Sequence, residues 1–144
     1  MNEKAISHDT AKRLLLTLSR EYEALRKGNA DNVLRLLSDN PRWHLPLELP
    51  RVQTSPGLCE GRESITALLK YVMKGFSAPP KWTFIRVIAD ENSAAVQFTG
   101  HCLTYQGKPY DNRYCMVQTF KDGLIDEVHE YLNVKIIEQA YAED

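Results

Sequence analysis

A glutamate on an apolar strand face is the residue most suited to chemistry in this sequence. Glu130 lies in the run LIDEVHEYLN, where Asp126, Val128, Glu130 and Leu132 share one side of an extended strand. A carboxyl among apolar walls is desolvated, which lifts its pKa toward the range where it exchanges protons near neutral pH. The preceding run, PYDNRYCMVQTFK, brings Tyr110, Asn112, Tyr114, Met116, Gln118 and Phe120 to one face. Asn112 and Tyr114 can each donate to a ligand oxygen, and Met116 and Val128 supply apolar contact. Apolar bodies with a few polar tips suit a pocket wall better than a dry core. His101 and His44 are the further candidates, since imidazole titrates at about 6.5 and can share or hold a proton.

Other chemistries find no footing. His8, His44, His101 and His129 have no histidine three or four residues away and no cysteine at a metal-ligand spacing, so no local zinc motif exists; a metal could be held only by ligands the fold assembles. There is no G-x-S-x-G elbow, no P-loop and no G-x-G-x-x-G, and no metal or cofactor is expected. A net charge of -1 over 144 residues, without a run of Lys or Arg, offers no footprint for nucleic acid or an anionic membrane. No apolar stretch approaches the roughly 20 residues that span a bilayer, and MNEKAISHDTAKR has no signal-peptide core. Cys59, Cys102 and Cys115 are an odd number at irregular spacing, which points to a reduced, cytoplasmic setting.

The elements that position these residues follow from periodicity. With 43% hydrophobic residues, residues 1–144 make one domain with a real core. Ala11, Leu14, Leu15, Leu18, Tyr22 and Leu25 recur at helical steps, with Ser7 or Asp9 as cap and Gly28 as stop. A second helix is expected over 30–38, capped by Asn29 and halted by Pro41; a brief edge strand over 42–47 carries Arg42 and His44 on one face and Trp43 on the other. Residues 48–60 read as a loop, and a third helix runs over 62–74. The period then changes to two. Strands follow over 82–89 and 94–105, and the final pair folds back through Lys121-Asp122-Gly123, because Asp-Gly tolerates the positive φ a tight hairpin needs. A short helix over 134–141 ends the chain. Helices first and a meander after them give an α+β domain, helices on one face of a curved antiparallel sheet.

This order, with GRESITALL opening the third helix and YDNRY, DGLIDEVHEYLNV closing the chain, resembles the SnoaL-like proteins of the superfamily that includes nuclear transport factor two, ketosteroid isomerases and limonene epoxide hydrolase. The resemblance implies a cone-shaped, cystatin-like roll, a dimer and a deep pocket for a small apolar or semi-polar organic ligand. It also implies orientation: Val128, Glu130 and Leu132 inward with His129 and Tyr131 outward, and Thr99, His101, Leu103 and Tyr105 inward on their strand. His101 would then stand near Glu130, and His44 would fall where the epoxide hydrolases orient water. Phenazine-biosynthesis relatives carry a glutamate implicated in acid–base work in a run like Glu130-Tyr131-Leu132-Asn133-Val134.

The departures are as informative. The positions that carry the ketosteroid isomerases' base, tyrosine and second aspartate align with Leu45, Glu21 and Met116, so steroid isomerisation is not expected. Leu68 stands where the phenazine proteins have a histidine, and their substrate does not transfer. The expected function is a cofactor-independent isomerase, cyclase or hydrolase acting on a carbonyl or polyketide-like compound, with Glu130 and His101 catalytic and His44, Asn112, Tyr114, Met116 and Val128 lining the pocket. The alternative is a binding or accessory protein of the same fold. Glu130 and His101 facing one another inside a closed cavity would separate the two. With helices on one side only, the outward face of Ile125, His129, Tyr131, Cys115 and Val117 is expected to form a sheet-to-sheet homodimer.

Overall fold

The computed structural model describes residues 2–142. Helix α1 (Glu3–Arg20) is capped by Asn2, whose side chain accepts the Ala5 N–H at 2.8 Å, so Ser7 and Asp9 lie within the helix. Its buried stripe is Ala11, Leu14, Leu15 and Leu18. A break at Glu21 separates α2 (Tyr22–Arg26), and Gly28 ends that segment at a φ of 88°. The second expected helix shrinks to one turn, α3 (Asp31–Leu34), because the chain is already extended at Leu37 and enters β1 (Leu37–His44). Pro41 therefore lies inside a strand. It has no N–H to give, and the register of β1 on its neighbour slips between Leu37 and Arg42.

The expected loop contains a short strand, β2 (Leu58–Glu60), paired antiparallel with the end of β1. Helix α4 (Arg62–Lys74) buries Ile65, Leu68, Leu69 and Met73. The meander is β3 (Lys81–Ala89), β4 (Ser93–Leu103), β5 (Pro109–Lys121) and β6 (Leu124–Leu132), and α5 (Val134–Ala140) follows with Asn133 as its cap. Asp122 and Gly123, at φ 53° and 79°, make the β5–β6 turn. The six strands run in the order β2-β1-β6-β5-β4-β3. The helices pack on one face of this curved, open sheet, an α+β fold. The sheet is mixed rather than wholly antiparallel, because β1 pairs with β6 in the same direction.

Two irregularities decide which side chains face inward. On β3 the pairing shifts between Phe84 and Arg86, so Trp82, Phe84, Val87 and Ala89 turn toward the core while Ile85 and Arg86 are both exposed. On β6, Thr119 pairs with Glu127 but Phe120 with Ile125, which leaves Asp126 unpaired. Ile125 is thereby buried in the core rather than on the outward face where strict alternation puts it. Asp126 instead accepts hydrogen bonds from Ser38 at 2.7 Å and Arg42 at 3.2 Å. Among the described residues, no helix is long and apolar enough to cross a membrane.

Candidate functional site

Beyond the bulge, β6 sends Val128, Glu130 and Leu132 to the inner side, opposite Gln118, Met116 and Tyr114 of β5. Val128, Met116, Tyr114, Asn112 and Tyr110 are all buried there. Trp43 of β1 lies opposite Val128 and points the same way; its indole Nε1–H donates to Glu130 Oε1 at 3.0 Å. Part of the Glu130 side chain remains accessible, yet the carboxyl is deeply enclosed. Burial pushes its pKa up to about 7, and the hydrogen bond from Trp43, which favours the ionised form, does not cancel that rise. The donor is neutral. A carboxyl so placed carries its proton about half the time at neutral pH.

Beside it runs a chain of hydrogen bonds. Asn112 Nδ2 donates to the Tyr110 hydroxyl at 2.8 Å and to the Asn133 carbonyl at 3.0 Å, and its Oδ1 accepts from the backbone N–H of Arg113 and Asn133. The Asn112 amide is thus fully engaged in clamping the end of β6. The Tyr110 and Tyr114 hydroxyls meet at 2.7 Å. Burial pushes the Tyr110 pKa up to about 12 and raises that of Tyr114 further, so both remain protonated donors at neutral pH. Tyr114 stacks on Phe98 with centroids 4.8 Å apart, and Gly100 lies beneath Tyr114 and Trp82. Gln118 gives its Nε2 to the Ala11 carbonyl at 3.1 Å, while its Oε1 is buried without a hydrogen-bond partner among the described residues.

Two candidate residues are elsewhere. His101 stands on the outer side of β4, more than half exposed and paired through Nδ1 with the Asp111 carboxylate. The reason is register: Gly100 pairs with inward Asn112, so His101, opposite Asp111, must point out. The buried set on β4 is Ala94, Val96, Phe98, Gly100 and Cys102, so Thr99 and Leu103, expected inward with His101, lie on the outer side as well. His44 is the second. Because Trp43 takes the inner side, His44 projects outward, where Nε2 meets Glu127 Oε2 at 2.7 Å and its ring stacks on His129. The inner face therefore gathers Glu130, Tyr114, Met116, Val128 and Asn112 without either histidine.

Three side chains on this face carry roles that the candidate list missed. Trp43 was visible as the apolar residue on the face of its short strand opposite Arg42 and His44. Tyr110 and Gln118 were visible only as members of an alternating set. Glu130 lines none of three surface grooves, one of which lies on the outer sheet and reaches Tyr114 and Leu132 at its border.

Residues 18–128 match the family model of the SnoaL-like domain, most of the chain. The chain belongs to the SnoaL-like family. No curated protein matches it in sequence. Among solved structures, an NTF2-like protein from Anabaena variabilis is 21% identical and superposes with a TM-score of 0.72, covering 89% of this chain and 90% of its own. A Bacillus subtilis protein provisionally named an isomerase is 19% identical with a TM-score of 0.75, over 98% of this chain and 96% of its own. A Jannaschia protein provisionally named a SnoaL-like polyketide cyclase is 15% identical with a TM-score of 0.71, over 96% and 95%. At such identities the likeness shows the cone fold alone. The SnoaL-like fold is one that holds small molecules.

Proposed function

We propose that this SnoaL-like chain is a cofactor-independent acid–base enzyme for a small, mostly apolar carbonyl or polyketide-like compound held against the inner face, with Glu130 as the proton-transfer group. The observation that carries the reading is a carboxyl with a pKa of about 7 whose hydrogen bond comes from neutral Trp43. With His101 outside, one carboxyl must serve for both halves of the reaction. Ionised Glu130 takes a proton from the carbon beside the carbonyl, the electron pair moves to the carbonyl oxygen, and the protonated carboxyl returns the proton to a second carbon. The oxyanion needs a donor. If Tyr110 donates to Tyr114, the Tyr114 proton is free for that oxygen. The names of the Bacillus and Jannaschia neighbours accord with this class.

Binding without turnover is the second reading, favoured by the absence of both histidines from the inner face and by the full engagement of the Asn112 amide in hydrogen bonds within the chain. One experiment separates the two. Native mass spectrometry of protein purified from extract identifies a co-purified compound, which is then incubated with wild type and with Glu130→Gln. Conversion by wild type, reduced at least about 100-fold in the variant with binding retained, is the expected result. Binding with no conversion by wild type establishes the second reading.

The same reading includes a homodimer through the outer sheet face and a cytoplasmic setting without nucleic-acid or membrane partners. Ile85, Ile88 and Tyr131 are 57%, 61% and 54% exposed. Together with Ala95 and Cys115 they line a groove of about 440 Å³. Cys59, Cys102 and Cys115 are free thiols, as suits a reduced compartment.

A further inference from the structure

On the outer side of the sheet, β1 and β6 bring three donor side chains together. The parallel register sets His44 opposite His129 and Arg42 opposite Glu127, and Glu127 and His129, two apart on β6, leave the same face. His44 Nε2 stands 2.7 Å from Glu127 Oε2, and His129 Nε2 stands 3.5 Å from that same oxygen. One donor atom from each residue lies within 4.8 Å of the other two. We propose that His44, Glu127 and His129 form a binding site for a divalent first-row transition ion of the Zn²⁺ type.

The donor set selects the ion. Two imidazoles and a carboxylate suit Zn²⁺, Co²⁺, Ni²⁺ or Cu²⁺, whereas Ca²⁺ and Mg²⁺ take oxygen ligands. Ligands about 2.0–2.2 Å from an ion in tetrahedral array stand roughly 3.3–3.6 Å apart, so the separations at Glu127 need change by less than about 1 Å. The rings need to move more. They stack at 4.0 Å with planes 3° apart, which aims their Nε2 lone pairs side by side rather than at one point. One imidazole must rotate as the ion enters. With about a third of each histidine side chain exposed, there is space for that rotation and for water at the remaining coordination positions. Arg42 lies 3.6 Å from Glu127 Oε2 and also binds Asp126. It fixes the carboxylate's direction, as an outer partner of a metal ligand does, while its charge opposes the cation and weakens the site. His44 is distant in sequence from Glu127 and His129, which is why no local spacing reveals the set.

The test is titration of the 144-residue chain, stripped with EDTA, with ZnCl₂ at about pH 7.5, followed by calorimetry and by NMR of the histidine ring protons. One ion per chain binds, and the resonances of His44 and His129 shift together while those of His8 and His101 do not. His44→Gln and His129→Gln each weaken binding at least about tenfold, the size expected for loss of even a supporting residue. His101→Gln leaves it unchanged. No saturable binding overturns the proposal, as does binding that shifts only His8 or His101, or that survives undiminished in folded His44→Gln and His129→Gln. Should either variant unfold, the resonances of the unaltered protein decide. None of these readouts requires Glu130 to be catalytic.

Discussion

Glu130 couples the chemistry of the site to the stability of the fold. Its pKa of about 7 lies above the ordinary carboxyl value of about 4.3, so between those pH values the folded chain holds a proton that the unfolded chain has released. Stability from this residue is therefore full below about pH 4.5 and is lost as pH rises through about 7. Glu130→Gln removes the ionisation, and the Trp43 N–H can still donate to the amide oxygen. The variant should melt at a higher temperature than wild type at pH 8, and the gap should narrow steeply by pH 5, as read by thermal unfolding across that range. An equal gap at both ends would show that the carboxyl is solvated. Trp43→Phe tests the other contribution. Losing the one donor that favours the ionised form should raise the Glu130 pKa further, measured by carboxyl-carbon NMR; a fall would mean that opening the site to water outweighs the lost bond.

The strands explain why some faces were legible in the sequence and others were not. Gly100 admits two rings at once: a Cβ there would stand 2.6 Å from Trp82 Cζ3 and 2.9 Å from Tyr114 Cε1. Gly100→Ala should cost about 1–3 kcal/mol by overpacking and displace Tyr114 from Tyr110, seen as a lower melting temperature and an altered tyrosine near-ultraviolet spectrum. An unchanged protein would show that β4 yields freely. That glycine also marks the inner face. Ala94, Val96, Phe98, Gly100 and Cys102 form the smaller and more apolar set on β4, so composition pointed to the correct side while the likeness to relatives pointed to His101. Trp43 against His44 is the same contrast. Helix α4 and the Asp122-Gly123 hairpin could be read directly, since a 3.6-residue stripe and a turn dipeptide are local signals. The bulges at Ile85–Arg86 and at Asp126 could not, because an extra residue in one strand is defined only by the strand beside it. The outer cluster of His44, Glu127 and His129 was hidden for a related reason: it exists only once β1 lies parallel to β6.

At the scale of the molecule, the helices occupy one face of an open sheet and leave the other to a partner or to water. On that face the apolar residues gather toward β3, β4 and the far end of β6, as Ile85, Ile88, Ala95 and Tyr131, while His44, Arg42 and Glu127 crowd the β1 side. Arg86 and Arg113 border the apolar groove and give it a polar rim. A two-fold axis through the groove would set Ile88 and Tyr131 of each chain against the same patch of the other, covering the three most exposed apolar side chains of the sheet while the polar side stays near the rim. Sedimentation at micromolar concentration should accordingly give twice 16.5 kDa. Ile88→Asp, which places a charge at the middle of the contact on a side chain that is 61% exposed in the single subunit, should give the single-chain mass with little loss of melting temperature. A wild-type chain that sediments at 16.5 kDa would overturn the dimer, and an Ile88→Asp variant that keeps the double mass would place the interface elsewhere.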